Sequence, residues 1–261
     1  MQTKENFPEI SDKDIIILLK QNYNSLMSVF YETQSSFLSG IYKRYGNIET
    51  ANILEFFNRN LHLEIIRQRE KNLNFNVSLD KLENNMQNIS MPSEKISSIV
   101  KITGIPKETV RRKVKNLINK GYLANVGSAK SYSWSPTSKN KERYFELIET
   151  EALILSKFIY HFAKHLKLDV DMNQITKEIK LQFSFYIYHF LTSQLQWLKM
   201  WQNKLKDNEL LLIILQCIIP TLQFAEKRKS NTNVENIFKI IGAVDNKYNF
   251  SKTAVSAAAI S

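Results

Sequence analysis

Residues 91–144 constrain this chain most, because they hold two short amphipathic patterns separated by a break that neither can absorb. Ile96, Ile99 and Val100 fall at helical spacing, which predicts a helix over 94–102 with one buried face. Thr103-Gly104-Ile105-Pro106 ends it. Gly104 suits the left-handed backbone of a tight turn, and Pro106 suits the start of a helix but not its interior. A second helix is predicted over 106–120. Val110, Val114, Leu117 and Ile118 recur at i, i+4, i+7 and i+8, and Lys120-Gly121 supplies a cation followed by a stop.

Beyond Gly121 the pattern changes. Residues 122–126 and 131–135 are short, rich in Tyr, Trp and Val, and joined by Gly127-Ser128-Ala129-Lys130, which predicts a β-hairpin. Two helices, a sharp turn and a following hairpin describe a winged helix-turn-helix. The expected class is mainly α, with that unit and its small β-hairpin wing flanked by N- and C-terminal helical regions.

The second helix opposes its apolar face with Glu108, Thr109, Arg112, Lys115, Asn116 and Asn119, flanked by Arg111 and Lys113. A core needs none of these. Lys107, Glu108 and Arg112 have the reach to read DNA bases: Arg bonds guanine bidentately and Glu accepts from the cytosine amino group. Thr109, Arg111, Lys113 and Lys115, with Lys130 at the hairpin tip, are placed for phosphates, which fix register but carry no sequence information.

The segment GIPKETVRRKVKNLINKGYL resembles the recognition helix of bacterial winged helix-turn-helix regulators. It is most similar to the pattern of the cyclic-AMP receptor protein family: a basic residue, Glu-Thr-Val, any residue, Arg. In that family the basic residue, the Glu and the Arg read bases, which implies those roles for Lys107, Glu108 and Arg112. The chain departs from the pattern at Pro106, where a Ser usually caps the helix. It also shows no N-terminal nucleotide-binding β-roll, so the resemblance implies no cyclic-nucleotide effector. It covers about a fifth of the sequence.

Charge follows the same segment. Of a net +11, residues 91–145 carry +9, residues 1–90 carry −1 and residues 146–261 carry +3. A basic segment between nearly neutral ones is the electrostatic footprint of a DNA reader. Two of the 8 Arg are adjacent in the predicted helix, at Arg111 and Arg112.

Along the chain, Ser11 and Asp14 mark a helix start, and one long helix is expected to about residue 39, with 40–46 as a break. A second helix is expected over 49–71, then a polar, Asn-rich stretch over 72–88. The second helix or this stretch would supply the third helix that closes a helix-turn-helix core. After the hairpin, a stripe from Phe145 to Leu166 predicts a long helix. Another is expected from Asp171 through Trp201, a further one over 210–226, and a short one over 232–241. The domain reading is 1–72 N-terminal helical, 73–137 winged helix-turn-helix, 138–242 C-terminal helical for dimerisation or an effector, and 243–261 disordered.

The single Cys217 excludes an intramolecular disulfide, suits a reducing cytosol and sits in an apolar run where burial is expected. The polar N-terminus reads as no signal peptide, and the apolar run 210–224 is too short to span a membrane comfortably. A cytoplasmic, nucleoid location and no membrane partner are expected. His161 and His165 are spaced i, i+4, but no third ligand follows at a required spacing, so no metal is expected. The aromatic run over 183–197 fits either a core helix or an apolar pocket for a small-molecule effector. No glycine-rich phosphate loop, nucleophile elbow or HExxH occurs, so neither catalysis nor a cofactor is expected. The function expected is that of a sequence-specific regulator binding double-stranded DNA as a homodimer. The alternatives are a low-specificity architectural or replication factor, and a winged-helix module that binds protein.

Overall fold

The computed structural model describes residues 11–127 and 130–227. It is mainly helical, with a small antiparallel sheet of three strands among the described residues.

The N-terminal arm is two helices, α1 (Asp12–Gln21) and α2 (Tyr23–Tyr45), where one was expected. Asn22 separates them. It closes α1, and its side-chain amide also donates to Leu18 O at 3.1 Å, a local bond that competes with helix continuation. The expected break at 40–46 is absent, since α2 runs through Gly40 and stops at Gly46. A Cβ on Gly40 would meet nothing nearer than Leu147 Cδ1 at 3.8 Å, so the position is helical and roomy.

Helix α3 (Ile48–Lys71) is the centre of the molecule. Asn47 caps it, accepting from the Thr50 N–H at 3.0 Å. It is buried on nearly every side, as an interior helix must be, and the sequence supplies Ile53, Phe56, Phe57, Leu61 and Ile65 for that purpose. A 3₁₀ turn (Leu79–Lys81) and α4 (Leu82–Asn88) follow, so the Asn-rich stretch is partly ordered. Then comes a short strand, β1 (Glu94–Lys95), which occupies the expected first turn of the next helix. Helix α5 (Ile96–Thr103) and α6 (Lys107–Asn119) form the predicted pair, with Gly104 left-handed at φ 72°. The hairpin is β2 (Leu123–Val126) and β3 (Ser131–Trp134), paired Leu123 to Trp134 and Val126 to Ser131. β1 adds to the other edge of β3, giving the order β1-β3-β2.

Helix α7 (Ser138–His165) has 28 residues. The expected long helix from Asp171 is again two, α8 (Met172–Leu181) and α9 (Phe183–Leu205). Gln182 takes φ −108°, ψ 37°, and the Ser184 N–H leaves the helix ladder for Val77 O at 3.1 Å, which turns α9 onto α3. The last described helix, α10 (Asn208–Lys227), carries Pro220 inside it and packs along α2. Leu211, Leu215 and Leu222 face inward; Cys217 lies on the other side and is exposed, not buried as expected. The short helix expected over 232–241 and the tail expected over 243–261 lie outside the described residues. No described helix is long and apolar enough to cross a membrane.

One hydrophobic core runs from Phe37 to Leu215 and includes Ile99, Val110, Val114, Leu117, Leu123 and Trp134. The α5–α6–hairpin segment is therefore packed into the same interior as the flanking helices.

A buried polar chain crosses this core. Asn58 donates to Glu55 at 3.0 Å, and the Tyr144 hydroxyl donates to Asn58 Oδ1. The Tyr144 oxygen then accepts from His62 Nε2 at 3.2 Å, while His62 Nδ1 faces Ser184 Oγ at 3.1 Å. With the Tyr proton committed to Asn58, His62 is the neutral Nε2–H tautomer and Ser184 donates to it. Burial lowers the imidazole to about 3, so it stays neutral. Burial also raises Glu55 to about 7, against the opposing pull of the Asn58 hydrogen bond and Arg44. Glu151, equally buried, is pushed well above the carboxylate range by burial and by Glu55. The chain ties α3 to α7 and α9. Tyr144 also packs edge-on against Trp134 of β3, ring centroids 4.9 Å apart.

Candidate nucleic-acid interface

Helix α6 sits on the core by Val110, Val114 and Leu117, all buried. Residues at i, i+4, i+7 and i+11 from Glu108 therefore form its outermost ridge: Glu108, Arg112, Lys115 and Asn119, all exposed. Lys107 and Arg111 are exposed on one flank, and Thr109 and Lys113 are half-buried on the other. Among the described residues, Lys107, Arg112 and Lys115 have no ion-pair partner. Arg111 pairs with Glu108 at 3.1 Å, but both are mostly exposed, and such surface pairs are weak enough to exchange for a ligand.

Lys113 is different. Its ammonium pairs with Glu49 at 3.2 Å, touches Thr50 at 3.4 Å and donates to Asn47 Oδ1. Its side chain is 16% exposed. The sequence groups Lys113 with the phosphate residues. The structure instead points it at the first turn of α3, where it fixes the rotation of α6. Asn47 is shared further: its amide donates to Glu209 of α10. Lys130 is exposed beside the hairpin tip with φ 50°.

The far end of α6 is held by α7. Asn140 donates to Lys120 O at 2.8 Å, the C-cap carbonyl that α6 leaves orphaned, and to Gly121 O at 2.9 Å, which also accepts from the Thr137 N–H. The near end is held by α9. Lys199 donates to Lys101 O at 2.8 Å, and its Cγ would stand 3.0 Å from a Cβ on Gly104. The turn between α5 and α6 is thus closed over by α9.

Sequence reasoning missed a second cationic feature. A cleft of about 360 Å³ beside the end of α6 is lined by Arg44, Lys120, Lys139 and Arg143, among others. The sequence signal is the run Lys139-Asn140-Lys141-Glu142-Arg143 at the start of α7, which contributes to the net charge of residues 91–145. His161 is exposed and His165 partly so; among the described residues no group of three or more His, Cys, Asp or Glu stands ready to hold a metal.

No family model, no curated protein and no solved structure matches this chain. What can be said of function rests on the residues themselves.

Proposed function

We propose that α3, β1, α5, α6 and the β2–β3 hairpin form a winged helix that binds duplex DNA, with α6 in the major groove and the hairpin along the backbone. The observation that carries this reading is the outer ridge of α6: Arg112 and Lys115 stand exposed and unpaired among the described residues on a helix whose other face is fully seated. The order α3, β1, α5, α6, β2, β3, with the 3₁₀ turn and α4 inserted between α3 and β1, and the β1-β3-β2 sheet support it. On this reading Lys107, Glu108 and Arg112 read base edges, and Thr109, Arg111, Lys115 and Lys130 contact phosphates. The cationic cleft at Lys120, Lys139 and Arg143 extends the phosphate contacts beyond the end of α6. Lys113 acts through position, by anchoring α6 to α3.

On this reading the protein is a homodimeric transcription regulator, whose two recognition helices meet half-sites about one helical turn apart. The apolar residues of α1, none of them buried and with Ile16 50% and Ile17 51% exposed, offer a surface for the second copy. Selection from a random duplex library tests the reading. A regulator enriches one motif with two half-sites, and Arg112→Ala degrades preference at one base per half-site. Binding without enrichment supports an architectural role instead, and no binding at low salt removes the DNA reading.

A further inference from the structure

A cavity of about 440 Å³ lies between α2, α7 and α9. Aromatic rings dominate its wall: Phe30, Phe158, Tyr186 and Trp197. Phe30 meets Phe158 and Trp197 edge-on, at 6.2 Å and 6.1 Å between centroids. Among the described residues no Asp, Glu, Lys or Arg lines it, and the imidazole that does, His189, is solvent-exposed. Gln34 and Gln194 also line it, each 3% exposed. The Oε1 of each is buried with no hydrogen-bond partner among the described residues. Two amide oxygens taken out of water without donors are costly, and the lining hydroxyls of Thr33 and Ser193 donate to Val29 O and His189 O instead.

We propose that this cavity binds a neutral, planar aromatic molecule carrying an N–H or O–H donor, and that Gln34 and Gln194 receive that donor. The volume falls in the range of small-molecule sites, whose walls are mostly apolar with a few placed polar groups. The absence of lining charge selects against carboxylates and phosphates, because nothing compensates their desolvation. The site also has a mechanical outlet. Trp197 lines the cavity, and two residues further along α9 Lys199 holds Lys101 O and covers Gly104 at the α5–α6 turn. A ligand that moves α9 therefore moves the support of α6. This coupling rests on the DNA-binding reading; the site itself does not.

Calorimetric titration of the full chain with indole, 1-methylindole and indole-3-carboxylate tests the site. Indole is expected to bind with one equivalent, 1-methylindole about tenfold more weakly for the lost hydrogen bond, and the carboxylate not at all. Gln34→Leu and Gln194→Leu should each narrow the gap between indole and 1-methylindole; both replacements keep volume and remove an unpaired acceptor, so folding should survive. No saturable indole binding, or equal affinity for indole and 1-methylindole, overturns the site. Duplex affinity measured with and without indole tests the coupling. A change with indole supports it, and unchanged affinity in indole-saturated protein overturns it. Failure to bind any duplex overturns the DNA reading and with it the coupling, while the calorimetry decides the site separately.

Discussion

Replacing Glu55 by Gln isolates the buried carboxyl that the fold holds protonated. Gln keeps an oxygen to accept from Asn58, so the hydrogen bond at 3.0 Å survives. Burial raises Glu55 from 4.5 to about 7. A carboxyl raised in the folded state stabilises most below its unfolded value, and that stability is lost as pH rises through the folded one. At about 1.4 kcal/mol per pH unit, ionising Glu55 costs the fold about 3 kcal/mol at pH 8 and less than 1 kcal/mol at pH 5. His62 works the other way. Lowered from 6.5 to about 3, it contributes stability above 6.5 that is lost as pH falls. The two slopes oppose each other between about 4.5 and 6.5, and Glu151, raised by burial and by Glu55, adds to the loss with rising pH, so the wild-type profile alone does not isolate Glu55. The difference between Glu55→Gln and wild type cancels His62 and the other groups that Glu55 does not act on; Glu151, which Glu55 helps push up, is relaxed in the same direction. Urea unfolding at pH 5, 6, 7 and 8 should show the variant gaining on wild type by about 2–3 kcal/mol across the series. Parallel profiles would refute the reasoning, because they would mean that Glu55 titrates alike in both states.

Other consequences are as direct. Gly104→Ala places a Cβ at φ 72° and 3.0 Å from Lys199, so it should lose about 1–2 kcal/mol of stability, whereas Gly40→Ala, in open helical space, should gain up to about 1 kcal/mol; thermal unfolding of both checks the contrast. Lys113→Met removes the tie to Glu49 and Asn47, and should lower the melting temperature while leaving the salt dependence of DNA binding unchanged.

Much of the fold was legible because burial leaves a period. The stripes of α3, α6 and α7 and the hairpin residues of β2 and β3 announced themselves by spacing. The breaks at Asn22 and Gln182 did not, since neither residue is Gly or Pro and the apolar pattern runs straight through both. β1 has two residues, too few to show alternation. The polar chain from Glu55 to Ser184 was invisible because periodicity assigns His, Asn and Glu to the surface; only the folded arrangement of α3, α7 and α9 gives them partners. At the candidate site, spacing separated the inner and outer faces of α6. It could not show that Lys113 reaches back 64 residues to Glu49, because that pair exists only after α6 docks on α3.

The proposed DNA binding by α6 and the hairpin runs through Lys and Arg contacts. The most direct test is the slope of log K against log salt for duplex binding by wild type and by a Lys115→Ala/Lys130→Ala double variant. Wild type should give a steep negative slope, reduced by about 2 in the variant at about 0.9 per lost phosphate contact. A flat slope in wild type, or an identical slope in the variant, would contradict it.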